Sequence, residues 1–378
     1  MLSLITLIPH ALLLGTSPPA RVRRTSVPSM LRQQYDLVVV GGGPVGVTAA
    51  LRAALLVHKV LVFKGQPLTH AQHVAVAEAF GSPTVGHVFL REPQYLVDGA
   101  PEVFQLSRQG VSQEVAAASI KKLMTQAGAA GGEPLPNGGS GRSWWHRRWH
   151  TDVTSAINPP WLSILRQGQT TPAAGVSRPS WSVHPEVERL HPSGAFPSCT
   201  HWVNLAAAYE TLPPALKSRL RGRYGHHESA GNSGDKASEH PLVTLHPETG
   251  EHVLNISPLT LQHVVGMGAA EGEALLGEVT RHALGMGQRQ LECMMRWALG
   301  AQDVIMWDNR ATVHLAPVGL PRFGSVRQVF RVTCKGQPFL CADAEMGTSA
   351  VAAAAAVSRI VRGTPILSAR EEATLGHA

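Results

Sequence analysis

The sequence predicts an α+β chain, mainly β, with helices flanking a sheet-rich core. Three observations predict it. Short strand-like runs recur along the 378 residues, and 37 Gly and 27 Pro punctuate them with turns and loops. Helical periodicity is confined to a few stretches, residues 47–57 and 270–284 among them, the second placing Leu275, Leu276, Val279 and His282 at helical spacing. His150 and Asp152 stand two residues apart in Trp149-His150-Thr151-Asp152-Val153-Thr154, which puts both side chains on one face if the segment is an extended strand.

The composition, 44% hydrophobic, supports a large core in one elaborated domain or in two. The formal charge is +7 with 19 His left out. The basic residues form no stripe with interleaved aromatics, so nucleic acid is not an expected partner. A mildly basic pocket for a small anionic substrate accounts for the charge. Cys199, Cys293, Cys334 and Cys341 are too few and too scattered for a disulfide framework or a zinc cluster. No stretch is long and apolar enough to cross a membrane. Assembly into a homo-oligomer is left open.

Residues 1–34 contain no Asp or Glu; they open on a short apolar run and continue into Arg21-Val22-Arg23-Arg24-Thr25-Ser26. They read as a targeting or disordered extension, either a mitochondrial or plastid transit peptide or a secretory signal, and otherwise as part of a cytoplasmic chain. Residues 35–64 then read as a β-α-β unit, with Gly41, Gly43 and Gly46 in Gly-x-Gly-x-x-Gly spacing between a strand over 35–40 and a helix over 47–57. This stretch resembles the ADP-binding start of FAD-dependent oxidoreductases. The second strand ends on Phe63-Lys64, where an acidic residue would meet a ribose, and no further strand–helix alternation follows. An FAD- or NAD-dependent oxidoreductase built on 41–46 is one alternative reading, and an inactive relative of a dioxygenase is another.

A neutral imidazole and a carboxylate converging from one face are two of the three groups of a non-haem Fe(II) site. The candidate third is His314, behind Trp307-Asp308-Asn309-Arg310. Asp308 and Arg310 read as an ion pair or turn cap, and His240 and His246, each beside a proline, as strand-end histidines rather than ligands. Arg327 and Arg331 lie an even number of residues apart, on one face of a strand. A guanidinium can hold a carboxylate or sulfonate through two hydrogen bonds.

Several segments together resemble the taurine dioxygenase (TauD/TfdA) family. They are the helix and strand leading to Val60-Leu61-Val62-Phe63-Lys64-Gly65-Gln66, the helix closing on Phe80-Gly81, Ala208-Tyr209-Glu210-Thr211-Leu212-Pro213, His246-Pro247 through Asn255, and Asp303 through His314. The resemblance covers residues 53–342, with a loop at 107–143 and an insertion at 172–198; an Ala-rich tail follows at 343–378, read as a helix outside the core or partly disordered. It implies a double-stranded β-helix (jelly-roll) core with flanking helices. It implies Fe(II) held by His150, Asp152 and His314, and 2-oxoglutarate held by Thr200 and Arg327. Pro197-Ser198-Cys199 replaces the family's Gly-Gly-Asp before Thr200. It implies Arg331, His87, Phe89 and His146 beside the substrate. The implied reaction uses O2 to hydroxylate a small anion such as taurine or another sulfonate, a sulfate ester or a carboxylate, releasing succinate and CO2.

Overall fold

In a computed structural model of the chain the described residues are 43–87, 92–109, 146–171, 200–229, 236–284, 294–297, 302–316, 326–342 and 358–375. The expected extension over 1–34, the strand over 35–40, Phe89, most of the 107–143 loop and the 172–198 insertion lie outside them.

Helix α1 (Gly43–His58) and strand β1 (Val60–Phe63) occupy the stretch read as helix and strand. Helix α2 (His70–Phe80) begins at a capping box: the Thr69 hydroxyl accepts from the Gln72 N–H, and the Gln72 side chain accepts from the Thr69 N–H. Strands β2 (Phe104–Gln109), β3 (Leu162–Thr171) and β4 (Thr200–Asn204) follow, then the short helices α3 (Leu205–Glu210) and α4 (Pro214–Leu220). Next come β5 (Tyr224–Glu228), β6 (Ala237–Pro241), β7 (Val243–Leu245), β8 (His252–Leu254) and β9 (Leu261–Val264), closed by helix α5 (Ala269–Leu284). Leu275, Leu276 and Val279 of α5 are fully buried, as their spacing implies, while His282 sits at the margin of the buried face. The chain ends through β10 (Met294–Trp297), β11 (Val304–Asp308), β12 (Thr312–Leu315), β13 (Val326–Cys334), β14 (Leu340–Cys341), β15 (Arg359–Arg362) and helix α6 (Ala369–Thr374).

The architecture is mainly β. The strands form a five-stranded sheet in the order β1-β11-β3-β13-β2, a four-stranded sheet β15-β6-β5-β9, and two three-stranded sheets, β10-β4-β12 and β14-β7-β8. Every pairing among the described residues is antiparallel. Of the β-α-β unit expected over 35–64, the described residues hold α1, which begins at Gly43 and contains Gly46, and β1, which pairs antiparallel with β11; the strand expected over 35–40 and Gly41 lie outside them.

Side chains alternate across the five-stranded sheet with the period of two that the pleat imposes. Val304, Met306, Leu162, Ile164, Phe330 and Val332 face outward and bury against Leu55 of α1 and Ala77 and Phe80 of α2. Ile305, Trp307 and Val329 face inward and meet Trp202 of β4. The opposite face of β4 and β12, carrying Val203, Val313 and Leu315, packs on α3, α4 and α5. The space between the five-stranded sheet and β4-β12 is thus walled by Trp202 and Trp307, and the polar inward positions open into it.

One irregularity matters for the arginines. Thr170 pairs with Arg327 and Gln167 with Val329, so β3 carries one extra residue. Gly168 occupies the bulge, where a Cβ would lie 2.5 Å from the Phe330 ring. β13 itself keeps a regular register with β2, so Arg327 and Arg331 are placed on the same face.

Gly336 makes the tightest approach. A Cβ there would lie 1.8 Å from the Pro159 carbonyl oxygen, which cannot rotate away. Gly336→Ala is expected to cost at least about 1–3 kcal/mol as overpacking, seen as a lower urea midpoint with an unchanged m-value.

The tail differs from expectation. Its Ala-rich part lies outside the described residues, but β15 adds an edge strand to β6. Asn158 both donates to and accepts from the Ile366 backbone, at 3.0 and 2.7 Å. His240 links the same regions. Its Nε2 donates to the Thr154 carbonyl at 2.7 Å, and its Nδ1 accepts from the Ser358 hydroxyl at 2.6 Å. Burial pushes this imidazole down to about 4. The unfolded chain then binds a proton below pH ~6.5 that the folded chain refuses, so stability is full above that pH and falls toward pH 4. His240→Gln should flatten the acid limb of stability against pH by up to about 1.4 kcal/mol per pH unit, measured by urea unfolding between pH 7 and 5.

Candidate active site

His150 and His314 are joined through their main chains. The His150 N–H donates to the His314 carbonyl at 2.9 Å, and the His314 N–H returns a bond to the His150 carbonyl at 2.8 Å. This bridge sets the two rings 4.2 Å apart, centroid to centroid. His314 lies on β12 opposite Trp202, beside the adjoining indoles of Trp202 and Trp307.

Asp152 reaches the same place by a route the spacing did not predict. The segment leaves strand geometry after His150 and turns through residues 152–155, with Val153 at φ 56°. A left-handed conformation is strained for a β-branched residue, by roughly 1–3 kcal/mol. Side chains hold the turn in place. The Thr151 hydroxyl donates to the Thr312 carbonyl at 2.7 Å, and the Thr154 and Thr260 hydroxyls bond at 2.6 Å. The same-face argument from an extended strand is therefore corrected: the convergence of His150 and Asp152 comes from a pinned turn.

One ligand atom from each of His150, Asp152 and His314 lies within 4.8 Å of the other two. Among the described residues no other group of three or more His, Cys, Asp or Glu does this. The protonation states suit a divalent cation. Burial holds His314 down to about 3 and lowers His150 as well, so both rings are neutral donors. His150 Nδ1 donates to the Arg148 carbonyl at 3.1 Å, which leaves the Nε2 lone pair available. His314 Nδ1 is buried without a hydrogen-bond partner among the described residues, and its Nε2 faces Asp152 Oδ1 at 3.9 Å. Burial, the largest single influence, raises the Asp152 carboxyl, but the Arg331 guanidinium, His314, His150 and the Ser163 hydroxyl together outweigh it and hold the group ionised, below the usual carboxylate range. Two neutral imidazoles and one carboxylate are a donor set for Fe(II).

Arg331 is drawn into this cluster. Its Nη1 donates to Asp152 Oδ1 at 2.6 Å, and its guanidinium lies over Phe104, its register partner on β2, at 5.2 Å. The His87 ring stands 5.2 Å from the same Phe104 ring. Thr200 is buried and shares a face of β4 with Trp202, two residues on. The backbone of Arg327 lies on β13 and that of His146 in a single 3-10 turn; their side chains, like Phe89, fall outside what is described.

Asp308 and Arg310 form the clamp expected of them. Arg310 Nε donates to Asp308 Oδ1 at 2.9 Å and Nη2 to Oδ2 at 2.6 Å. His246 adds a bond to Asp308 at 3.2 Å, and with His240 it serves the scaffold, not the metal cluster. Two contributors escaped the sequence. Ser163 donates to Asp152 Oδ2 at 2.6 Å, and Phe104 underlies Arg331. A hydroxyl at an inward position of the apolar run Leu162-Ser163-Ile164-Leu165 was the available signal for the first.

The chain is 27% identical over 365 residues to an alpha-ketoglutarate-dependent sulfate ester dioxygenase of Pseudomonas putida, covering 89% of this chain and 95% of that one. It is 29% identical over 269 residues to an alpha-ketoglutarate-dependent 2,4-dichlorophenoxyacetate dioxygenase of Cupriavidus pinatubonensis, covering 68% and 77%. The crystal structure of a taurine dioxygenase from Burkholderia xenovorans superposes with a TM-score of 0.61 at 34% identity, covering 86% and 89%. The family model described as taurine catabolism dioxygenase TauD, TfdA family matches residues 44–331. With a half-buried and a buried histidine, both neutral, and an ionised aspartate gathered beside an arginine, the chain belongs to the TauD/TfdA family and is an Fe(II)- and 2-oxoglutarate-dependent dioxygenase.

Proposed function

We propose that the chain hydroxylates a small anionic substrate, and that its sheets form a double-stranded β-helix around that reaction. The observation that carries the reading is the approach of His150, Asp152 and His314 to within 4.8 Å of one another with the Arg331 guanidinium alongside. In this reading the three side chains hold Fe(II), and Thr200 and Arg327 hold 2-oxoglutarate. When bound, the metal with 2-oxoglutarate and O2 supplies the oxidant that converts a C–H bond to C–OH, with release of succinate and CO2.

The protein's own part is positioning and exclusion of water. Trp202 and Trp307, both buried, wall the cluster on the His314 side. Arg331 donates to the carboxylate oxygen that faces His314, the oxygen that would ligate a metal held by the three side chains. Its guanidinium, lying over Phe104, would pair with the acidic group of the substrate, and His87 stands against the same Phe104 ring. Sulfate esters, sulfonates and aryloxy carboxylates all present such a group, and the relatives' names include sulfate ester and phenoxyacetate dioxygenases.

The test is spectroscopic first. Anaerobic addition of Fe(II) and then 2-oxoglutarate to the full chain should produce a visible charge-transfer band. Succinate release should then depend on one member of a panel of alkyl sulfates, sulfonates and aryloxyacetates. A protein that forms no band, or that releases succinate equally with neutral analogues, overturns the reading.

A further inference from the structure

Asp152 is held by more than Arg331. Its Oδ2 accepts from the Ser163 hydroxyl at 2.6 Å. The Ser163 oxygen accepts from Asn309 Nδ2 at 2.7 Å, and Asn309 Oδ1 accepts from Trp307 Nε1 at 2.9 Å. Ser163, Asn309 and Trp307 are all buried, at 0, 2 and 2% exposure, so no solvent competes for these bonds.

The direction of this chain follows from chemistry alone. An indole N–H can only donate. Asn309 must therefore turn its oxygen to Trp307 and its amide N–H to Ser163. The Ser163 oxygen then receives a proton donor, and its own hydrogen is directed at Asp152. Oδ2 faces a donor whose orientation is set three groups away, and it must remain an acceptor. A chain of bonds all pointing one way also strengthens each link.

We infer that Ser163, Asn309 and Trp307 are positioning residues that reserve Oδ2 of Asp152 and present Oδ1 alone to the metal. The inference rests on the metal-binding reading above and deepens it. It gives Trp307-Asp308-Asn309-Arg310 two tasks: Trp307 and Asn309 aim the aspartate, while Asp308 and Arg310 clamp the turn that carries them. The register supports the division, because Trp307 pairs directly with Ser163 across β11 and β3.

The experiment is Co(II) binding to the full chain without 2-oxoglutarate, followed by visible absorption and titration, with turnover measured separately. Ser163→Ala should weaken Co(II) by roughly 10- to 100-fold, as expected when a partner of a ligand is removed, and should change the ligand-field bands as Oδ2 is freed to coordinate. Ser163→Thr, which keeps the hydroxyl, should restore affinity and spectrum to near the parent values. Trp307→Phe, which removes the indole donor that orients Asn309, should reproduce the spectral change in part. Equal Co(II) affinity and spectra in Ser163→Ala and the parent protein would refute the inference. So would equal weakening in Ser163→Ala and Ser163→Thr, since that would reflect packing rather than the hydroxyl. A parent chain that binds no Co(II) would sink the metal-binding reading itself, and a parent that binds with an inert Ser163 would sink only the relay.

Discussion

His314→Ala protein is expected to stay folded, to form no charge-transfer band with Fe(II) and 2-oxoglutarate, and to lose turnover by at least about a thousand-fold, as when one member of a mutually dependent set of catalytic groups is removed. The reasons are separable in the structure. The bridge that ties residue 314 to residue 150 is made by main-chain atoms, so alanine preserves it. The ring removed is neutral, and no buried charge loses its partner, because Asp152 keeps Arg331 and Ser163. What disappears is one of three donors, and two donors do not define a face of an octahedron. Circular dichroism and a urea midpoint near that of the parent would establish the fold, and anaerobic titration would read the site. A variant that retains the band would show that His314 is not a ligand.

Asp308→Ala is expected to act on stability instead, with a loss of about 3–5 kcal/mol, the scale for leaving one member of a buried ion pair alone. Asp308 has no exposed surface, and its carboxylate accepts from the Arg310 backbone and guanidinium and from His246. Arg310 continues to Glu248 and lies over the Trp161 ring at 4.5 Å, and Arg52 of α1 meets the same Glu248. Removing Asp308 strips the acceptor from the centre of this network and leaves a guanidinium largely out of water. Asp308→Asn keeps one acceptor oxygen and should lose less. Urea unfolding at pH 7 separates the cases, and equal stability of the alanine variant and the parent would contradict the clamp.

The parts of the molecule that could be read from the sequence are those encoded locally. The helix over 47–57, the strand beginning near Val60, the buried face of α5 and the Asp308–Arg310 pair each follow from residues within a few positions of one another. The candidate ligands could be named because the segments around them, Asp303 through His314 above all, resemble those of the TauD/TfdA family. Their geometry could not be read. Asp152 arrives on a turn because Thr151 and Thr154 are fastened to Thr312 and Thr260, more than 100 residues away, and those bonds keep Val153 in a conformation its side chain disfavours. The pairing of β15 with β6 and the reach of Ser163 to Asp152 likewise depend on which strands meet, a matter of topology rather than propensity.

The main-chain bridge between residues 150 and 314 also bears on how the site is filled. Because the backbone carries the rings and folding fixes the backbone, the entropy of bringing two distant histidines together is spent before any cation arrives. Arg331 meanwhile supplies a positive charge to the buried carboxylate. The folded backbone would therefore present both imidazoles to a cation together, unlike the small metal domains whose chain orders only around the ion. At such a site selectivity among divalent ions would come from the donor atoms and their spacing.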